Sequence, residues 1–210
     1  MNIIAADTET ATRFVNQVPD LVHATGEATY NYLFGADRIL FNSFMKVSWI
    51  EPKTLFSHSE TTLAVDGSEL LGIEIGYGGA DWYSFSQAGG KTIGQLFASG
   101  DLDEDGLRGL SERSNYTSYL NAHIPEHAYY IIALSVTEAA RGTGIGAKLL
   151  TNAMDRAKQE GYKELQLDVF SDNPAVHFYQ SMGLTCMAET SAPVPRENGV
   201  PMEMRMAITL

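Results

Sequence analysis

The stretch "ALSVTEAARGTGIGAKLL", Ala133 to Leu150, passes from a strand-like segment through three glycines at alternate positions straight into a helical pattern. Gly142, Gly144 and Gly146 leave backbone N–H groups uncovered, and a helix starting there points the positive end of its dipole at any anion the loop meets. Arg141 adds a permanent charge at the entry. The stretch reads as a loop that holds a phosphate-bearing ligand.

Three loop chemistries compete for it. The nucleotide-hydrolase loop, G-x-x-x-x-G-K-S/T, fails because Lys148 is followed by Leu149, with no hydroxyl to hold magnesium. The dinucleotide fingerprint G-x-G-x-x-G/A is met in form by Gly142, Gly144 and Ala147, with Glu160 about 20 residues further on, but too little chain follows for repeated βα units. The pattern R/Q-x-x-G-x-G/A, which binds the pyrophosphate of coenzyme A, is met by Arg141, Gly144 and Gly146.

Working outward, "HAYYIIALSV" is almost wholly apolar and predicts a central strand buried on both faces. Downstream, Ile145, Leu149, Leu150, Ala153, Met154 and Ala157 share one helical face, and Gly161 stands where a C-terminal cap belongs. "KELQLDVF" predicts a strand. "SDNPAVHFYQSMG" predicts a short helix capped by Asp172 or Asn173, with Pro174 in its first turn and Gly183 at its end. "LTCMAET" and "PMEMRMAITL" predict two closing strands joined by a hairpin loop through Pro193, Pro195 and Gly199. In the second, Glu203 and Arg205 alternate with Met202, Met204, Met206 and Ile208.

At the other end, "NIIAAD" predicts a strand, and "TETATRFVNQVPDLVHATGEATYNYLF" about two helices interrupted at Pro19. "TTLAV" and "ELLGIEIGY" pair across an Asp66-Gly67-Ser68 turn. Residues 80–122 predict a loop-rich insertion with two short helices, in which the acidic run Asp101–Asp105 is a solvated loop or a helix start. No repeat or linker divides the chain, so residues 1–210 are expected to form a single domain.

The chain has 210 residues, 44% of them hydrophobic, enough to fill a core. Its 26 acidic and 14 basic residues give a formal charge of −12, which disfavours nucleic acid and anionic membrane surfaces and suits a cationic partner. The single cysteine, Cys186, allows no intrachain disulfide and no thiolate zinc site, and suits a reducing compartment. No apolar run approaches the roughly 20 residues that span a bilayer. A cytoplasmic protein is the expectation.

On "ALSVTEAARGTGIGAKLL" and "LQLDVFSDNPAVHFYQSMGL", Leu165 to Leu184, the chain resembles the GNAT superfamily, the GCN5-related N-acetyltransferases. The resemblance implies an α/β fold with a GNAT-type mixed central sheet, its fourth and fifth strands splayed apart, flanked by helices on both faces. It implies acetyl-CoA as co-substrate and no metal. The backbone of Leu134, Ser135 and Val136 would pair with the pantetheine arm, and the amides of Arg141, Gly142, Thr143, Gly144, Ile145, Gly146 and Ala147 would hold the pyrophosphate. Asn173 is the cofactor contact expected from the following segment, one residue later than the asparagine many members carry. Tyr179 falls at the family's tyrosine, whose hydroxyl protonates the departing thiolate.

An attacking amine must lose a proton. Glu126 is the first candidate to receive it, followed by His127, Glu74, or Tyr130 through a water chain. "HIPEH", His123 to His127, is not a zinc motif, because Pro125 breaks the required helix. The expectation is an N-acetyltransferase acting by direct attack in a ternary complex on a small or cationic primary amine, with residues 80–122, including Trp82, walling the acceptor side. The expected partners are acetyl-CoA and that amine, with a homodimer left open and neither nucleic acid nor a membrane involved. Two alternatives stay open: a non-catalytic acyl-CoA-binding sensor or interaction module, and an NAD-dependent oxidoreductase.

Overall fold

β-Branched and aromatic residues gather in seven segments, and a computed structural model of the chain, describing residues 1–210, assembles these into one mixed sheet. In chain order the elements are β1 (Asn2–Ala5), α1 (Thr8–Phe14), α2 (Val18–His23), α3 (Glu27–Leu33), α4 (Arg38–Ile50), β2 (Thr61–Asp66), β3 (Glu69–Gly78), α5 (Gly79–Ser99) and α6 (Glu104–Thr117). There follow β4 (Ala128–Val136), α7 (Ile145–Gln159), β5 (Glu164–Phe170), α8 (Ala175–Ser181), β6 (Thr185–Thr190), α9 (Pro193–Glu197) and β7 (Glu203–Thr209).

The sheet order is β1-β2-β3-β4-β5-β7-β6, which puts β4 in the centre, as its apolar run predicts. All neighbours are antiparallel except β4 and β5, whose parallel pairing is made possible by the α7 crossover. Side chains alternate between the two faces. One face carries Leu63, Ile73, Ile75, Tyr77, Ala128 and Tyr130, packed against α1 to α6; the other carries Tyr129, Ile131, Leu165, Leu167, Val169 and Met206 under α7 and α8.

Local chemistry sets the boundaries. Gly67 takes φ +55° and closes the β2–β3 hairpin. α7 buries Ile145, Leu149, Leu150, Ala153 and Ala157, with Met154 half-buried, and ends in a Schellman turn: Gly161 donates to Lys158 O and Tyr162 to Ala157 O. Asp103 caps α6, so the acidic run is a helix start whose charges meet the positive end of the dipole.

Three expectations need correction. Residues 8–33 form three helices, because Pro19 sits in the first turn of α2, where its missing N–H costs nothing, and the break falls before it. Residues 80–122 are helical rather than loop-rich. α5 spans 21 residues despite internal glycines, since Phe85, Thr92 and Leu96 anchor one side while Gly89, Gly90 and Gly94 face open space. The β6–β7 connection contains α9, with Ala192 and Val200 packed on Leu120.

Candidate functional site

The parallel ladder pairs Ala128–Ile131 with Glu164–Leu167 and stops there, although β4 continues to Val136 and β5 to Phe170. The cause lies on the other edge of β4. Ile75 opposes Ala133 while Gly76 opposes Ile131, so Ile132 is an extra residue, and such a bulge bends its strand. β4 stays with β3 to Val136 and β5 stays with β7 to Phe170, so the sheet opens between them.

Thr137 N donates to Leu71 O at 2.9 Å, and antiparallel alternation then pairs Ser135 with Ile73 and turns the backbone groups of Leu134 and Val136 toward the split. Ser135, expected to share that role, has its backbone turned to β3 instead.

At the end of β4 lies the glycine loop. Gly142 and Gly144 have φ of +75° and +83°, and no atom lies within 4 Å of where a Cβ would stand on either. Gly144 is the N-cap of α7 and supplies no side-chain cap. The amides of Gly142, Gly144, Ile145, Gly146 and Ala147 donate to no backbone carbonyl, whereas those of Arg141 and Thr143 are used by Glu138 O and Ala140 O. The expected cradle is therefore five amides rather than seven. With the exposed Arg141 and the dipole of a 15-residue helix, these donors fit a pyrophosphate.

The α8 segment meets the same loop: Phe178 lies 3.8 Å from where a Gly146 Cβ would stand. Tyr179 is buried among Val176, Leu184 and the α7-side residues of β5, and burial pushes its phenol up to about 12. Pro174, expected inside the first turn, is instead the N-cap of this helix, and Asn173 before it accepts from Ala175 N with its Oδ1 at 2.9 Å, while Asp172 is exposed.

The expected bases are scattered. Glu126 is exposed in the turn before β4, and the whole paired part of the ladder separates it from the split. Six residues of extended chain to Ile132 amount to roughly 20 Å. His127 faces Glu164 at 3.4 Å. Glu74 is fully buried beneath α7, bonded to Arg156 at 2.9 Å and Tyr129 at 3.0 Å; burial raises its pKa against the pull of Arg156. Of the four, Tyr130 alone reaches the split, donating its hydroxyl to Asp168 Oδ2 at 2.9 Å.

Asp168 belongs to a cluster that sequence reasoning missed. Arg205, which the sequence shows only as alternating with the methionines of its strand, is 3% exposed, because the segment before β4 folds over it. It donates to Asp168 at 2.6 and 2.8 Å, to Gln166 Oε1 at 2.9 Å, and to the carbonyls of His123 and Ala122, each at 3.1 Å; its guanidinium stacks over the Tyr130 ring. Next to it on β7, Glu203 has its carboxyl pushed up to about 7, by burial first and then by Asp168, against Arg205 and Thr29. The alternation of charge in "MEMRM" was the one available signal.

A cavity of about 430 Å³ opens on this face, lined by Thr25, Glu27, Ala28 and Asn31 on the α2–α3 side and by Phe170 and Asn173 at the end of β5. No residue of the 80–122 segment lines this cavity, and Arg113 Nε ties α6 to the end of α3 by donating to Leu33 O at 2.7 Å.

Residues 89–184 match the acetyltransferase (GNAT) family model, so this part of the chain is similar to a GNAT acetyltransferase domain. Among solved structures, the fold is similar to an N-acetyltransferase from Staphylococcus aureus Mu50, with a TM-score of 0.73, 16% identity, and 99% of this chain and 100% of that one covered. It is also similar to another acetyltransferase, with a TM-score of 0.70, 20% identity and coverage of 100% and 99%. A third is the ribosomal-protein-alanine N-acetyltransferase from Brucella melitensis, with a TM-score of 0.58, 13% identity and both chains covered completely. No curated protein sequence matches the chain. No helix is long and apolar enough to cross a membrane.

Proposed function

We propose that this chain, acting as a single domain, transfers the acetyl group of acetyl-CoA directly to a primary amine in a ternary complex. The observation that carries this reading is the continuity of the split with the loop: strand-edge groups of Leu134 and Val136 lead into five unpartnered amides at the start of α7. A pantetheine arm carries amides that a strand edge can bond, and its pyrophosphate is the anion such a loop accepts.

The residues divide the work between binding and proton transfer. Arg141 and the amides of Gly142 and of Gly144 to Ala147 hold the diphosphate, and Leu134 and Val136 align the arm. Tyr179 keeps its proton at every physiological pH, because burial holds its phenol near 12. It is thus a ready donor to the thiolate released when the C–S bond breaks. Asn173 shapes the site by holding the first amide of α8. The formal charge of −12 and the exposed Glu27 at the cavity favour a cationic acceptor over an acidic one.

Calorimetric titration with acetyl-CoA, with NADH as control, tests the reading. Acetyl-CoA is expected to bind in the micromolar range, and Gly144→Trp to abolish binding by filling the cradle. NADH binding that acetyl-CoA does not compete away would overturn it in favour of the dinucleotide reading. Acetyl-CoA binding without thiol release across a broad set of amines would favour the sensor.

A further inference from the structure

We propose that Glu203 is the carboxylate that takes the proton from the acceptor amine, at an acceptor site between α3 and the sheet face opposite Tyr179. This inference rests on the acetyl-transfer reading and adds its missing base. Alternation along β5 and β7 puts Leu167, Val169, Met204 and Met206 on the Tyr179 side, and Asp168, Phe170, Glu203 and Arg205 on the other. Because the sheet is open between β4 and β5, a carbonyl held in the split can be approached from one face and lose its leaving group toward the other.

Glu203 stands directly opposite Phe170 in the β5–β7 register, so the two share a face, and Phe170 lines the cavity under α2 and α3. One polar group on the same side lacks a partner, the buried hydroxyl of Tyr77 on β3. Tyr77 and Tyr130 tilt against each other on this face, their ring centroids 6.4 Å apart, and Tyr30 on α3 lies close enough to Glu203 to feel its charge.

Asp168 and Glu203 both stand on this face of the sheet, beside a cavity whose own lining carries Glu27, and they differ in what already occupies them. Asp168 accepts from Tyr130 and twice from Arg205, and is consumed by those bonds. Glu203 forms no ion pair, and Thr29 is the hydroxyl close enough to pull on it. The charged and titratable groups that act on it are Asp168 on β5, Arg205 on β7 and Tyr30 on α3; Tyr130 and Tyr77 stand one step further off, against Asp168 and Tyr30, and Glu27 lines the cavity. Its carboxyl, held near 7, exchanges a proton at neutral pH more readily than an ordinary glutamate.

The step balances as follows. The acceptor arrives as R–NH3⁺, and Glu203 removes one proton to leave R–NH2. The nitrogen lone pair bonds to the thioester carbonyl carbon, the C–S pair leaves on sulfur, and Tyr179 protonates that sulfur. The second nitrogen proton restores the phenol through water, and Glu203 returns its proton to solvent. The products are the N-acetylamine, free coenzyme A and one proton.

Two readouts on the full chain test this. Thiol release from acetyl-CoA is followed with n-butylamine, benzylamine and putrescine from pH 5 to 9. The wild type is expected to show an acid limb in kcat/KM near pH 7. Glu203→Gln should lose that limb and about 100-fold or more of kcat/KM with unchanged acetyl-CoA affinity. A variant that keeps both rate and limb overturns the proposal.

Independently of turnover, the carboxyl of Glu203 is titrated by carbon-13 NMR, assigned with the same variant. Saturation with one of those ammonium ions should move its midpoint down by about one pH unit, because a neighbouring cation favours the charged form. A midpoint that none of the three moves overturns the inference even where acetyl-CoA binds. Absent acetyl-CoA binding sinks the acetyl-transfer reading, while the ammonium-linked titration still reports on this site.

Discussion

Arg205 and Glu203 are two residues apart on one strand and show how differently burial treats charge. Arg205 is compensated by a carboxylate, an amide and two backbone carbonyls. Removing it by Arg205→Ala leaves Asp168 without its cation in a largely dry setting, which should cost about 3–5 kcal/mol in urea denaturation. Glu203 is the opposite case, a carboxyl raised from 4.5 to about 7. Between those values the native state holds more protons than the unfolded chain, so this group makes stability fall as pH rises through that window, then level off. The full loss is on the order of 3 kcal/mol. Glu203→Gln lacks the ionising group, so its stability relative to wild type should grow from about pH 4.5 to 7 and stay constant above. Parallel lines in thermal denaturation across that range would contradict the raised carboxyl.

Elements were legible where the deciding information is local. The β2–β3 hairpin follows from Asp66-Gly67-Ser68, α7 from its apolar stripe and Gly161, and α8 from Pro174 and Gly183. The glycine loop could be read for the same reason, since its donors belong to consecutive residues. The base could not, because Glu203, Asp168 and Thr29 meet only when three distant segments pack. The burial of Arg205 was hidden in the same way, since alternation along a strand does not tell that the segment before β4 lies over one of its faces. α5 was obscured by Gly79, Gly89, Gly90 and Gly94, each about 1 kcal/mol worse than alanine in a helix. The first of these has a steric reason, because a Cβ on Gly79 would collide with the carbonyl oxygen of Pro125. Gly79→Ala should therefore destabilise by about 1–3 kcal/mol despite its better helix propensity. Gly90→Ala, facing open space, should be neutral to stabilising, and chemical denaturation of the pair separates the two effects.

At the scale of the molecule, one unpaired residue divides the sheet. Strands β1 to β4 form one wing and β5 to β7 the other, joined by four paired residues on each strand and by α7. Past Ile132, Leu134 and Val136 turn their amides into the gap, while Ser135 is tied to β3. That contrast has a kinetic signature. In deuterium exchange the amides of Leu134 and Val136 should label quickly while their immediate neighbour Ser135 stays slow, an alternation inside the central strand of a folded domain. A ligand that lies along the gap as an added strand would slow the two fast positions and leave the third unchanged, so a clock set by single amides reports which edge has been covered.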